Sequence, residues 1–519
     1  MMRLRKAADR TVSILGLGLF GVLTGFSLFL TSRFALSYEE IPRTTGDIFP
    51  LVLLICGCLT FVMYRISEWM LREEERQERR VRILAGAVFC YALLLGVWWV
   101  GAADVVPAGD QASICTAAEQ FRNGNFEMLT IDSYEKYLYI YPHQVGLTAV
   151  MEVVFRLFGD GNYMAFEYLN CLCAALTLYF GYRVTRCLTG EKRAWIYELF
   201  LSAACFPLLF YTTFVYGEML SIMLSMLTIW LFLEYRKREQ AWWMIGCAFS
   251  CAAACLVRNN CLILLIALVL VLLVTARGER KWKLLLSVLL LSAVYLGAKN
   301  AVQTMYEQRS GVELNAGAPK LLWVAMGMQK GEGAPGWSNG YILHNYWGAS
   351  DFDNEAAQAM AVQDIKNSAK EFLHHPRYAL WFYAEKFASQ WNDPTYECFA
   401  MTHMDNDHRS AVAQKLYEGV PHRAMTWFMN QYQSLIYGGC FLWILYTFWK
   451  KKDLSRLILV ITVFGGFLFH MIWEAKGRYI LPYFVLMLPM AAGGLAEASV
   501  RMREWLKRHG RLPVKMKMQ

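Results

Sequence analysis

An all-α polytopic membrane protein, with about twelve transmembrane helices and two folded extracytoplasmic loops, is what the sequence predicts. Three observations carry that expectation. The 519 residues are 56% hydrophobic and only 18% charged, against roughly 25% charged in an ordinary soluble chain. The charges fall in short clusters between long apolar runs, which excludes disordered, fibrous and disulfide-framework classes. The runs are also long enough, at about 17–25 residues, to cross hydrocarbon as helices. The alternating strands of a membrane barrel give no such solid runs.

The runs lie at 11–32, 48–64, 83–103, 162–182, 194–217, 217–233, 241–257, 259–276, 284–301, 430–449, 457–473 and 479–496. The first is too long for a removable signal peptide and lacks a small-residue cleavage site, so it reads as an anchor. Lys and Arg gather at Arg3–Arg10, Arg65–Arg82, Arg183–Arg193, Arg236–Arg238, Arg277–Lys283, Lys450–Arg456 and Arg501–Lys517. These segments hold 32 of the 51 basic residues. With twelve crossings they all fall on one side, which the positive-inside rule makes the cytoplasm, together with both termini. The net charge of +9 then answers anionic headgroups and gives no reason to expect nucleic acid.

Residues 144–159 are apolar enough for a thirteenth crossing. That reading would put Arg183, Arg186, Lys192 and Arg193 outside. Glu152 and Arg156 stand four residues apart, on one helical face, so the segment reads as an amphipathic helix on the outer surface.

Four parts follow. Residues 1–82 form a two-helix extension with a cytoplasmic loop. Residues 83–301 form a transmembrane core that includes a first outer loop at 104–161. Residues 302–429 form a large outer loop, and 430–519 the last helices and a basic tail. Loops of this length are functional when folded, and their Trp and Tyr content argues for folding. Ser368–Trp391 reads as one amphipathic helix with Pro376 in its early turn. Twelve of the fourteen cysteines lie in or beside crossings. Only Cys115 and Cys398 lie in outer loops, where pairing would depend on geometry that spacing does not reveal.

Ionisable groups near membrane depth are costly and default to function. Asp110 follows the third crossing, where a carboxylate can take a proton from a hydroxyl; helix capping is the alternative, since a helix-like stretch begins at Gln111. Asp104 is a weaker competitor. Glu218 stands at the outer end of the sixth crossing, behind Pro207 and an aromatic run. Arg258, beside Asn259 and Asn260, stands alone at a turn and suits a phosphate, which guanidinium grips with two parallel bonds; snorkelling is the alternative. Glu474, Lys476 and Arg478 cluster before Pro482 at the last crossing. His403-Met-Asp405-Asn-Asp407-His408 matches no metal-ligand spacing and reads as a polar loop. Gly331–Gly336 lacks the strand and helix of a phosphate loop. No metal site is assigned, and no cofactor; a divalent cation is left open.

The order of motifs resembles the GT-C superfamily of membrane glycosyltransferases. The nearer resemblance is to dolichyl-phosphate-mannose protein mannosyltransferase-like proteins of glycosyltransferase family 39, and to the bacterial lipid A aminoarabinose transferases. It rests on Asp110 in the first outer loop and on the helix from Tyr141-Pro142 to Leu157-Phe158-Gly159. Asn170–Thr189, Pro207–Glu218, the Arg258 turn and Arg478-Tyr479-x-x-Pro482 follow in the same order. The Trp391–Glu397 segment is similar to related bacterial proteins. The resemblance implies a catalytic carboxylate at Asp110. Gln111 stands where the family usually has a second acid, which puts cation binding there in doubt. It also implies a phosphate contact from Lys136, which follows Glu135. Tyr141 and His143, flanking Pro142, complete a substrate-binding set with Gln111, Lys136, Glu218, Arg258, Glu474, Lys476 and Arg478.

The expected reaction moves a sugar from a polyprenyl-phosphate donor to a hydroxyl on a glycan, glycolipid or protein at the outer membrane face, with inversion. Fixed cations would stabilise the charge growing on the phosphate. Membrane lipid is the surrounding partner. A transporter, flippase or polymer ligase for lipid-linked saccharides is the alternative; no internal repeat of the kind transporters carry is evident.

Overall fold

The computed structural model describes residues 2–34, 42–276, 281–403, 408–448 and 454–509. Among them the chain is an all-α polytopic membrane protein. Nine helices are long and apolar enough to cross a membrane, or ten with the pair Lys192–Ala203 and Phe206–Thr213, which bends by 44°. That bend has a local cause. Pro207 stands in the first turn of the second piece, where it cannot donate to the turn before it and so starts a helix instead of continuing one. The remaining expected crossings fall on Ala241–Val257, seventeen residues long, and Gly419–Phe448, thirty residues long.

Gly419–Phe448 and Leu481–Arg508 share the most intimate helix contact. A Cβ on Gly494 would strike the Gly439 carbonyl and the Trp443 backbone, and one on Gly439 would sit 2.9 Å from Ala491. In lipid, helices associate by close packing of this kind, because no water is expelled.

Contacts gather the basic segments at one end of the bundle. Arg503 pairs with Glu68 at 2.8 Å, and Lys192 donates to Gln77 at 3.0 Å. Arg193 lies over the Tyr64 ring, and Arg236 donates to Ser455. Helix Glu218–Arg238 begins with Glu218 in its first turn and ends with Arg236, Lys237 and Arg238 in its last. Twenty-one residues at 1.5 Å each separate those ends by about 30 Å.

In three places the structure corrects or completes the sequence expectations. Leu30–Phe34 and Pro42–Gly46 pair as an antiparallel hairpin between the first two helices. Ser368–Trp391 is not one helix. Asn354–His374 ends and Pro376–Trp391 begins with Pro376 in its first turn, because a residue before proline is driven out of the helical region; His375 has ψ 68°. Finally, Cys115 and Cys398 are both free thiols, and Cys398 is buried.

The 145–158 segment forms a fourteen-residue helix, too short to span hydrocarbon. Its Glu152 is no solvated surface acid. It is buried and accepts from Tyr306 at 2.6 Å, from both terminal nitrogens of Arg309 at 2.9 and 2.6 Å, and from Arg156 at 2.7 Å. Arg309 also donates to the Phe121 carbonyl. This knot fastens helix Lys281–Ser310 to helix Val145–Phe158 and to Asp110–Arg122. Burial would raise the Glu152 pKa, but the bonds from Arg309, Tyr306 and Arg156 outweigh it and hold the carboxyl down at about 2.

Candidate active site

Three breaks in the helical bundle bring the charged residues together. The first follows helix Gln77–Ala103, where Asp104 takes the left-handed C-cap position with φ 44°. The chain then restarts at Asp110. Gly109 is the N-cap, and Asp110 lies in the first turn with its carboxylate not committed to capping. The second is the aromatic passage Phe210–Gly217, and the third is Trp473–Ile480.

Asp110 accepts from Arg478 Nη2 at 3.4 Å, and its side chain is 43% exposed while that of Arg478 is 9% exposed. Arg258 pairs with Glu218 at 2.8 Å, both side chains nearly buried. The two guanidiniums share aromatic neighbours. Arg258 stands 4.9 Å from the Tyr216 ring and 5.8 Å from the Tyr479 ring, and Arg478 stands 5.8 and 5.3 Å from the same rings. Aromatic faces stabilise cations held away from water. The Tyr216 and Tyr137 hydroxyls are hydrogen-bonded at 3.0 Å.

Glu474 is buried and accepts from Tyr479 at 3.1 Å. Burial pushes its pKa up, opposed by Lys476 and Arg478. Lys476 is buried and lies 6.0 Å from the Trp337 ring of the large loop. His143 is pushed down to about 4, first by burial and then by Arg258 and Lys320, so near neutrality its imidazole is uncharged. Tyr141 and His143 pack edge-on against Trp323, which stacks on Trp473 at 5.7 Å. Large loop, first loop and last turn thereby meet over one site.

Two sequence candidates have other surroundings. The side-chain carbonyl of Gln111 accepts from the Val215 N–H at 2.8 Å, tying the first-loop helix to the aromatic passage. Lys136 donates to the Ser133 carbonyl at 2.7 Å and lies 5.3 Å from the Trp347 ring. It lines an open outer hollow of about 730 Å³ with Glu127, Glu135 and Tyr137, and is not gathered with the two arginines. Of the His403–His408 segment, residues 404–407 lie outside the described residues. Gly336 in the glycine-rich stretch lies against Gly327 and Lys386, which a Cβ would meet at 2.8 and 2.7 Å.

A second hollow opens beneath the arginines. It is a narrow groove of about 30 Å³ with Glu218, Arg258 and Arg478 in its lining, together with Ser221, Ser225, Leu264, Thr462 and Leu486 from four helices. A charged head above a weakly polar stem suits an amphiphile. Sequence reasoning missed Tyr216, one of the two rings common to both arginines, and Glu397, which accepts from the Arg478 N–H at 3.2 Å. Tyr216 was concealed in an aromatic run, and no signal in a single sequence separates it from its neighbours.

Residues 143–298 match the family model for dolichyl-phosphate-mannose-protein mannosyltransferase. No curated protein matches the chain in sequence. Among solved structures, the chain is similar to the archaeal oligosaccharyltransferase AglB from Archaeoglobus fulgidus, in complex with an inhibitory peptide and a dolichol-phosphate. The likeness is 13% identical with a TM-score of 0.40, over 84% of this chain and 52% of that one; the chain thus spans about half of that protein. It is also similar to ArnT from Cupriavidus metallidurans bound to undecaprenyl phosphate, at 13% identity and a TM-score of 0.33, over 84% of this chain and 81% of that one. At these TM-scores neither likeness carries weight for the site.

Proposed function

From the match of residues 143–298 to the family model for dolichyl-phosphate-mannose-protein mannosyltransferase, we propose that the chain is a membrane glycosyltransferase. It moves a sugar from a polyprenyl-phosphate donor to an acceptor hydroxyl. The single observation that carries this reading is the convergence of Arg258 and Arg478 on the Tyr216 and Tyr479 rings, above the groove and beside Asp110.

The donor phosphate sits between the two guanidiniums, and its lipid tail leaves past Leu264 and Leu486 toward the bilayer, spreading the narrow groove as it binds. As the glycosidic bond breaks, negative charge grows on the phosphate. Cations already in place stabilise that charge more than they stabilise the ground state. Phosphate competes with Asp110 for Arg478, so donor binding releases the carboxylate. Asp110 then accepts the proton of the attacking hydroxyl. Attack from the face opposite the phosphate inverts the anomeric centre.

The site lies at the end of helix Glu218–Arg238 remote from the basic segments. The positive-inside rule puts those segments in the cytoplasm and the chemistry outside.

The test is incubation of purified protein with a polyprenyl-phosphate mannose labelled in its sugar, plus a cell-envelope extract as acceptor. The expected result is label in the extract and free polyprenyl phosphate. An intact donor under all conditions, with mannose and other sugars alike, would contradict the proposal.

A further inference from the structure

Arg478 is set by its backbone as well as by its ring neighbours, and what sets the backbone is a buried turn whose contacting residue lies 81 positions earlier. In Asp393-Pro-Thr-Tyr-Glu397 both Asp393 and Glu397 are buried. Asp393 accepts from the Thr395 N–H at 2.9 Å and its hydroxyl at 2.7 Å, and its other oxygen accepts from the Glu397 N–H at 2.9 Å. Tyr396 and Glu397 have φ of 48° and 64°, the left-handed region that side chains avoid.

Such a conformation persists only when its surroundings over-determine it, and here they do. Tyr211 donates its hydroxyl to the Tyr396 carbonyl at 2.6 Å. Gln433 donates to the Asp393 carbonyl at 3.1 Å and to the Tyr396 hydroxyl at 2.7 Å.

The strained turn aims one group at the site. Glu397 Oε1 accepts from the Arg478 N–H at 3.2 Å. The residue before Arg478 is packed close to the same turn: a Cβ on Gly477 would lie 3.0 Å from Glu397 Oε1 and 3.2 Å from Asp393 Oδ2. Arg478 then extends to Asp110 at 3.4 Å.

We infer that Glu397 is a positioning residue: it fixes the backbone of Arg478 so that the guanidinium stands between Asp110 and the donor phosphate. The inference rests on the reading of Arg478 as a phosphate ligand. Glu397 itself never touches the substrate. Its function is geometric, so an acceptor oxygen at the right reach matters and the negative charge does not.

The test is binding of undecaprenyl phosphate to the purified full-length protein in one detergent, with the thermal unfolding midpoint recorded for each variant. Arg478→Ala is expected to weaken binding at least about tenfold, and Glu397→Ala about tenfold, the scale of one charge-assisted contact. Glu397→Gln keeps an acceptor oxygen at the same reach and should recover most of the loss. Glu397→Asp keeps the charge but shortens the arm and should not.

The double variant Glu397→Ala/Arg478→Ala should bind no more weakly than Arg478→Ala alone, since residues that act through one another are not additive. Additive losses, or an Asp variant that binds better than the Gln variant, would overturn the inference while leaving Arg478 as a ligand. An unimpaired Arg478→Ala would overturn the phosphate reading and the inference with it. Should the alanine variant fail to fold, the comparison of Gln with Asp decides alone.

Discussion

Arg478 reaches the carboxylate of Asp110 at 3.4 Å across 368 residues of chain. The pair joins the first outer loop to the last helical turn. Only one partner is well exposed, so the contact lies at the mouth of the site and can exchange partners when an anion arrives.

Asp110 is therefore expected to be indispensable for transfer and dispensable for folding. Asp110→Asn retains the size and a hydrogen-bonding oxygen but cannot take the acceptor proton. Sugar transfer should fall by about 10²–10⁴-fold, the range of a positioned general base, while undecaprenyl phosphate binding persists or tightens. Turnover near wild type would show that another group is the base.

Arg258 and Arg478 should each lose donor use by roughly ten- to a hundredfold on replacement by Gln, because one charge-assisted phosphate contact is worth about 1.5–3 kcal/mol. Lysine should rescue only in part, since it lacks the planar fork. Arg258→Gln also leaves Glu218 as a buried, unpaired carboxylate, so its unfolding midpoint should fall more than that of Arg478→Gln. Transfer rate against donor concentration, with melting curves, checks both.

The Glu152 knot predicts a pH dependence of stability. Its folded-state pKa lies near 2, below the ordinary 4.5. The stabilisation is thus fully present above the ordinary value and is lost as pH falls from about 4.5 toward 2. A depression of that size corresponds to on the order of 3 kcal/mol. Wild type should lose thermal stability progressively as pH falls from about 4.5 toward about 2. Glu152→Gln should be less stable at neutral pH and flatter across that window. Parallel curves for the two proteins would show that the knot contributes nothing measurable.

Gly494→Ala should disrupt packing between Gly419–Phe448 and Leu481–Arg508, because the new methyl meets the Gly439 carbonyl. Overpacking of this kind costs about 1–3 kcal/mol. The expected result is a lower melting midpoint and a smaller monodisperse fraction in detergent. Gly18→Ala, with open space around its Cβ, is the control.

The bundle was legible because its signal is coarse: a run of apolar residues long enough to span hydrocarbon has one economical solution, a helix. Arg258, Glu218, Glu474 and Arg478 were legible for the complementary reason, as charges standing at the edges of such runs. What stayed hidden depends on distant pairing. Glu397 is one acid among many in a long loop, and only the fold shows that it is buried against Gly477 and Arg478. Lys136 follows the same motif logic as the arginines, yet its loop turns it toward Trp347. Glu152 looked like a surface acid because its partners Tyr306 and Arg309 lie more than 150 residues downstream. The break at Pro376 was a local signal read one turn too generously.

The most direct test of the central claim is identification, by native mass spectrometry, of lipid that stays bound through purification in mild detergent. Wild type and Arg258→Gln/Arg478→Gln would be compared before and after addition of undecaprenyl phosphate. The account predicts a polyprenyl phosphate, bare or carrying a sugar, on the wild-type protein, and its loss from the double variant. A wild-type protein that takes up no polyprenyl phosphate, or equal occupancy of the two proteins, would contradict it.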